Sequence, residues 1–373
     1  MRIQLRPQDR LIPMKLIVTG GAGFIGSAVV RHLIAESDWQ VVNLDKLTYA
    51  GASPHLDALV AGASYMLEVA DMGDGAAVTR VLQKHRPDAV LHLAGETHVD
   101  RSIDRPDEFV RTNLLGALTV LEATRAYWQR LPTDAKSRFR FHHVSTAEVF
   151  GSLGSDERAD EGTPYRPSSP YAASKASVDH LTRAWFRTFG LPVLTTHCPN
   201  NYGPRQFPEK LVPLLILNAL EGRPLPIYGA GANVHDWLYA ADHAAALSLV
   251  LQHGEPGETY NISGGVVQSN LELVHKLCAV LDDALPHSPH RPHADLIKFV
   301  ADRPGHDLRY AVDDSKLRRQ LGWRPQETIE SGLEKTVRWY LDNRDWWEPI
   351  RKSVYRGERL GRADTRAACE PGQ

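Results

Sequence analysis

Long apolar runs are missing from this chain of 373 residues, and no stretch is continuous enough to span a bilayer as a helix. Cysteine is scarce. Cys198, Cys278 and Cys369 are widely spaced and make no metal-ligand pattern, so a reducing cytoplasm is the simplest setting. An excess of one charge is also absent: 43 Lys and Arg stand against 45 Asp and Glu, a formal net charge of -2. That balance offers no footing for nucleic acid or an acidic membrane surface as partner. There is no internal repeat and no low-complexity tract. Residues 1–13 carry Arg2, Arg6 and Arg10 but no apolar core of a secretory signal. They are expected to be a disordered extension or the product of an upstream start codon. What remains is an ordinary globular composition, 42% hydrophobic and 24% charged. The length suits one large α/β domain or two smaller ones sharing a cleft.

Short buried-strand patterns alternate with helical ones. Lys15–Thr19, Gln40–Asp45, Ala89–Ala94 and Phe139–Ser145 read as strands, and Ile25–Ala35, Ala76–His85 and Asp107–Trp128 as helices. This alternation predicts an α/β fold with a doubly wound parallel sheet covered on both faces. From about Asn201 the texture changes, with Pro204, Pro208, Pro213, Pro224 and Pro226 punctuating short segments. Asn270–Leu281 and Asp313–Leu321 read as helices there. The expected organisation is a Rossmann-type unit over 14–200, a smaller C-terminal lobe mainly over 201–347 and interleaved with it, and a tail over 348–373 with a mobile end.

Gly20-Gly-Ala-Gly23-Phe24-Ile25-Gly26 fits G-x-G-x-x-G from Gly21 and T-G-x-x-G-x-x-G from Thr19. It follows a strand and opens a helix, the context a dinucleotide site requires. Glycine lets the backbone turn sharply and approach a pyrophosphate, and the helix N-terminus offers its N–H groups to the phosphate charge. Asp45 ends the second strand, where a carboxylate would grip the adenosine ribose hydroxyls and repel a 2′-phosphate. NAD is therefore expected over NADP. Asp71 would either contact the adenine edge or cap the next helix. Leu93-Ala94-Gly95 follows a buried strand, and small residues there would let backbone pass close to the cofactor.

Tyr171 and Lys175 lie four apart, on one face of a helix. An ammonium beside a phenol stabilises the phenolate; lowering the phenol pKa by about three units is worth roughly 4 kcal/mol. The lysine can also reach the nicotinamide ribose. Thr146 would hydrogen-bond the hydroxyl being oxidised, or simply end its strand.

With these residues in place, the chain resembles the extended short-chain dehydrogenases that act on nucleotide sugars, most closely the dTDP-glucose 4,6-dehydratases. The resemblance runs from Met14 to about Trp347. Its motifs are Thr19–Gly26, Asp45-Lys46-Leu-Thr48-Tyr-Ala-Gly51, His98–Ile103, Pro170–Lys175, Asn200–Pro204, Pro224–Gly229 and Asp302-Arg303-Pro-Gly-His306-Asp307. It implies that Gly20, Gly23, Phe24, Ile25, Gly26, Asp45, Lys46, Thr48, Asp71, Leu93, Ala94, Tyr171 and Lys175 hold NAD. It implies catalysis by Tyr171, Lys175, Thr146 and Glu148: oxidation at carbon 4 of the sugar, loss of water across carbons 5 and 6, and return of hydride to carbon 6. Asn200, Asn270, Lys210, His235, Arg303 and His306 would bind the diphosphate region, with Thr146 at the sugar. Pro226 and Tyr228 would border the base. A homodimer formed through a bundle that includes the Tyr171 helix is implied; a metal or second cofactor is not.

Two positions depart from the family pattern. Ala147 stands where the family has the aspartate that protonates the leaving hydroxyl, and loss of a positioned acid costs about 10²–10⁴ in rate. Glu148 would then serve both proton steps. His235 replaces an arginine, so the bidentate fork is lost; Phe150 replaces a tyrosine and reads as packing. An NAD-dependent nucleotide-sugar epimerase or decarboxylase needs no elimination and would not suffer from Ala147. A weakly active paralogue that binds NAD and a sugar nucleotide is the other alternative.

Overall fold

β1 (Lys15–Thr19) has four of its five residues buried and runs through a glycine turn into α1 (Phe24–Glu36). The computed structural model describes residues 14–49, 51, 64–358 and 360. The expected N-terminal extension and the end of the tail lie outside the described residues. β2 (Gln40–Asp45), β3 (Tyr65–Val69), α2 (Gly75–His85) and β4 (Ala89–His92) follow, then α3 (Val99–Asp104) and α4 (Pro106–Phe109). A π-helical stretch, Val110–Gly116, joins α4 to α5 (Ala117–Trp128). The single α-helix expected over 107–128 is thus interrupted. The wide turn carries buried Asn113, whose side chain accepts from Glu96 N–H (2.8 Å) and donates to Ser174 Oγ (2.9 Å).

α6 (Thr133–Arg138), β5 (Arg140–Thr146), α7 (Pro170–Phe189) and β6 (Val193–Cys198) complete the first half. The second half contains β7 (Asn200–Tyr202), α8 (Leu211–Leu220), β8 (Leu225–Tyr228), β9 (Val234–Tyr239), α9 (Ala240–His253) and β10 (Thr259–Asn261). β11 (Val267–Ser269), α10 (Asn270–Ala284), β12 (Ile297–Val300), β13 (Arg309–Tyr310), α11 (Ser315–Leu321), α12 (Ile329–Asp342) and α13 (Arg344–Ser353) end it.

Seven strands form one sheet in the order β10-β6-β5-β4-β1-β2-β3, every pair parallel. This is the doubly wound Rossmann order with β10 added at one edge. Strand order reverses between β1 and β4, which opens a crevice beyond their C-terminal ends. α1, α9 and α11 share one core with β1, including Val29, Leu33, Leu247 and Leu317. α2 and α5 cover the other face through Val78, Leu82, Val120 and Leu121. A separate core joins α8, α10, α12 and α13 through Leu215, Leu277, Val337 and Trp347. Chain segments 240–261 and 315–321 therefore return to the large sheet, while 211–239 and 267–310 build much of the smaller lobe.

Helix ends show how the crevice is kept open. α7 has a full set of stop signals: Ser169 accepts from Ala172 N–H, Pro170 occupies the first turn, and Gly190 ends the helix at φ 72°. α10 begins with a Ser269–Glu272 capping box. α1 has neither a side-chain cap nor an acidic residue in its first turn, and its N-cap is Gly23. A Cβ on Gly26 would lie 2.1 Å from the Gly20 carbonyl oxygen and 2.7 Å from Gly21 Cα. Backbone cannot step aside, so Gly26→Ala is expected to cost about 1–3 kcal/mol of stability. Thermal unfolding checks this; an unchanged Tm would refute the close packing.

Candidate active site

A cleft of about 820 Å³ runs from the glycine turn to the smaller lobe. At one end lie Gly20, Gly23, Phe24, Ile25 and Gly26, with Asp45, Lys46, Thr48, Leu93 and Ala94 along its wall. A Cβ on Gly20 would meet Ala94 Cα at 2.7 Å, so the turn and the end of β4 touch as backbone. Gly21 N–H donates to Asn43 Oδ1 (2.8 Å). Asp45 accepts from Ala22 N–H (2.9 Å) and Leu47 N–H (2.8 Å), which fixes its carboxylate at the end of β2. An uncapped helix N-terminus, a glycine cradle and a fixed carboxylate fit a dinucleotide. Asp71 lies between Ala70 and Met72, which line the cleft; its exposed carboxylate accepts from Gly73 N–H (2.8 Å) and lies 3.6 Å from Lys46 Nζ. It does not cap α2, because Asp74 does so. The turn places Asp74, not Asp71, against the first helical N–H groups.

Midway along the cleft stand Thr146, Glu148, Tyr171 and Lys175, all buried. Thr146 ends β5, Glu148 sits in the 3₁₀ turn Ala147–Phe150, and α7 carries Tyr171 and Lys175. The Tyr171 ring packs edge-on against Phe109, with centroids 6.3 Å apart. The expected lowering of its phenol by Lys175 does not appear. Burial first, then the Glu148 charge, hold Tyr171 well above 10, and a hydrogen bond with Thr146 opposes them. Lys175 donates instead to the Val144 carbonyl (2.6 Å), and burial lowers its pKa. Glu148 is pushed up to about 7 by burial, against the attraction of Arg303. Ala147 is fully buried and belongs to a small apolar cluster with Val149, Phe150, Ala176 and Val312. Phe150 packs edge-on against Tyr165 and His197.

At the far end the cleft is lined by Asn200, Lys210, Pro226, Tyr228, His235, Asn270, Arg303 and His306. Lys210 Nζ donates to the Thr97 carbonyl (2.7 Å), and burial lowers its pKa. His235 stacks on Tyr310 at 4.3 Å and is pushed down to about 3 by burial, with His306 and Arg303 adding to it. It is neutral at pH 7. His306 Nδ1 lies 2.7 Å from Asp302 Oδ1.

Several lining residues were not singled out as site residues from the sequence. Buried Asp100 accepts from Tyr228 Oη (2.6 Å) and Arg303 Nη1 (3.1 Å). Glu209 accepts from Tyr49 Oη (3.0 Å) and Arg101 Nε (3.1 Å). Tyr310 donates to Asn200 Oδ1 (2.7 Å). Asp100 lies inside the His98–Ile103 motif and Glu209 adjoins Lys210, which was the available signal. Tyr310 has no local signal; β13 delivers it from far along the chain.

The position of Glu148 generates a pH dependence. Its carboxyl rises from an ordinary 4.5 to about 7 in the fold, a cost of roughly 3 kcal/mol once it is ionised. Unfolded chain releases this proton first, so stability falls as pH rises between these values. Glu148→Gln cannot ionise. It is expected to be more stable than the parent at about pH 8 and equally stable near pH 4, as denaturant midpoints will show.

The sequence model of the GDP-mannose 4,6 dehydratase family matches residues 17–336. A dTDP-glucose 4,6-dehydratase of Neisseria meningitidis serogroup B is 56% identical over 350 residues, 93% of this chain and 99% of its own. One from Escherichia coli is 51% identical over 359 residues, again 93% and 99%. Among solved structures, DesIV, the dTDP-glucose 4,6-dehydratase of Streptomyces venezuelae with NAD and TYD bound, superposes with a TM-score of 0.81 at 44% identity. That match covers 90% of this chain and 100% of DesIV. UDP-glucose 4-epimerase of Thermus thermophilus, in complex with NAD, is more distant: TM-score 0.77 and 30% identity over 88% of this chain and 100% of the epimerase. From identity of this level over nearly the whole length, the chain belongs to the dTDP-glucose 4,6-dehydratase family.

Proposed function

We propose that this protein is an NAD-dependent hydro-lyase that converts dTDP-glucose to dTDP-4-keto-6-deoxyglucose and water. The observation that carries this is the convergence of Tyr171, Lys175, Thr146 and Glu148 on one cleft with the glycine cradle, in a chain 51–58% identical to dTDP-glucose 4,6-dehydratases. The epimerase structures it resembles are 26–30% identical, which sets that alternative aside. When bound in the cradle, NAD supplies the acceptor for hydride from carbon 4 of the sugar and gives a hydride back to carbon 6.

Thr146 and Tyr171 hold the 4-hydroxyl, and Tyr171 takes its proton. The ammonium of Lys175 supports the phenolate and reaches the nicotinamide ribose. The 4-ketone acidifies the proton on carbon 5, and Glu148 removes it. A carboxyl raised to about 7 is a stronger base than an ordinary one, and it can hand the proton on at neutral pH. With alanine at position 147, we assign the donation to the departing 6-hydroxyl to Glu148 as well; reprotonated from solvent, Glu148 then returns a proton to carbon 5 as hydride reaches carbon 6. Neighbouring carboxylates are otherwise engaged: Asp100 by Arg303 and Tyr228, and Asp307 by Ser152 and Ser168. Asn200, Asn270, Lys210, Arg303, His235 and His306 are assigned to the diphosphate end, and Pro226 and Tyr228 to the base. Neutral His235 adds a polar contact there without a counter-charge.

We also propose a cytoplasmic homodimer. No helix among the described residues is long and apolar enough to cross a membrane, and Cys198 and Cys278 are buried free thiols. Val110 and Leu115, on the π-helical stretch that packs on α7, are 46% and 52% exposed. Leu115→Glu is expected to convert a dimer to a monomer in sedimentation velocity. A parent protein that sediments as a monomer would refute the dimer.

Proton NMR of the reaction with dTDP-glucose in D₂O tests the chemistry. The expected product is a 4-keto sugar whose 6-methyl signal is a singlet, deuterium having entered carbon 5; an unchanged spectrum with folded, NAD-loaded protein overturns the proposal. Glu148→Gln is expected to lose about 10² or more in elimination, since one carboxyl serves both proton steps. Ala147→Asp is expected to gain tenfold or more from a second acid, within the roughly 10²–10⁴ that such a group is worth. No gain would show that proton donation to the leaving hydroxyl does not limit the parent.

A further inference from the structure

Beneath the reacting groups lies a buried polar cluster that the proposed chemistry does not use. Asp179 follows Lys175 by four residues on α7, so the two share a helix face, and both are buried. Asp179 Oδ2 accepts from Ser145 Oγ (2.9 Å), while Lys175 donates to the carbonyl of the adjacent Val144. The carboxylate and the ammonium are thus fastened to neighbouring residues of β5, next to Thr146. His143 Nε2 is 3.1 Å from Asp179 Oδ1, and His197 Nε2 is 3.0 Å from Oδ2.

The other nitrogen of His197 completes a pattern. Asn261 Nδ2 donates to the Ala159 carbonyl, which leaves Asn261 Oδ1 to accept from His197 Nδ1 at 3.0 Å. His197 Nε2 also lies 3.0 Å from Tyr165 Oη, so Asp179, Tyr165 and Asn261 hold the ring between them. A carboxylate this deep is costly to bury unless matched by positive charge. The groups that face it and Lys175 come from four elements and one loop. They are Tyr171 on α7, His92 on β4, His143 on β5, His197 and Cys198 on β6, and Tyr165 in the loop before α7.

We propose that Asp179 is a positioning residue for the reaction: the buried counter-charge that keeps Lys175 an ammonium and holds it, through β5, in place to support the Tyr171 phenolate. This rests on the assignment of Tyr171 and Lys175 to catalysis above. The neighbouring groups agree in direction. Burial lowers Lys175, and Asp179 opposes it. Burial and then the Lys175 charge push His143 down to about 4, so His143 brings no positive charge of its own. Burial would raise Asp179, but the close approach of the His143 and His197 rings outweighs it and keeps the carboxyl ionised.

The test is the pH profile of dTDP-glucose turnover by the full NAD-loaded chain. Loss of the neighbouring negative charge lowers the Lys175 pKa, so Asp179→Asn is expected to move the alkaline limb of kcat down by about one to three pH units with little change in KM. Asp179→Glu, which retains the charge, is expected to restore the limb. NMR of isotope-labelled lysine gives a second readout: the resonance that Lys175→Arg removes should titrate at lower pH in Asp179→Asn. A reduced kcat with an unmoved limb and an unmoved lysine titration would make Asp179 merely structural and overturn the proposal. Should Asp179→Asn fail to fold, Ser145→Ala, which frees the carboxylate from β5, takes its place. With Asp179 less firmly held, the limb should move downward and the lysine titrate at lower pH; an unmoved limb overturns the proposal. Tyr171→Phe separates the two levels. If it is fully active, the catalytic assignment and this inference fall together; if it is inactive while the Asp179 limb stays put, only this inference falls.

Discussion

A phenol, a carboxyl and two ammonium groups share one cleft, and burial is the first cause of the altered protonation of each. Everything chemical about the site depends on this desolvation. It disfavours the Tyr171 phenolate, so that support from nearby positive charge matters there, lets Glu148 carry a proton near neutrality, and makes the buried lysines easier to deprotonate. The remaining charges then become matters of pairing. Arg303 answers Asp100 and Glu148, Arg101 answers Glu209, and Asp179 answers Lys175. Residues from both cores line this cleft, so the second lobe adds burial that the sheet alone would not give.

The departures at 147 and 235 acquire physical content from their surroundings. Ala147 is well packed, sealed under Val149, Phe150 and Val312, so the substitution leaves no hole. Its consequence is chemical: the cleft wall between Thr146 and Glu148 carries no second acid. His235 is equally well accommodated, stacked on Tyr310 with Asn200 Nδ2 3.3 Å from its Nδ1. The ring keeps the local packing while giving up the charge that an arginine would bring. Both changes are easily tolerated by the fold and bear on the reaction instead.

Much of the site was legible because its residues sit in short local patterns. The glycines of 20–26, the carboxylate ending β2 and the Tyr171–Lys175 pair each follow from spacing within one or two elements, and the structure brings them to one cleft. Of the two readings of Asp71, the capping one fails because two aspartates, 71 and 74, compete for one helix start, and only the turn geometry decides for Asp74. The Asp107–Trp128 helix was read as continuous because a π-helical turn leaves no mark in apolar periodicity. Tyr310, Asp100 and Glu209 were missed because their partners lie 110, 128 and 160 residues away in the chain.

By itself the sequence determined the parallel α/β fold and singled out the glycine turn and the candidate groups that the structure gathers in one cleft, since these depend on periodicity and on spacings shorter than a few turns. The protonation of those groups was decided only by tertiary structure. The lysine expected to lower Tyr171 is turned toward Val144, burial and Glu148 raise the phenol instead, and a buried aspartate one helical turn on supports the lysine. The reason is electrostatic. Charges interact through space and through a local dielectric, and both are set by what the second lobe covers rather than by neighbours along the chain.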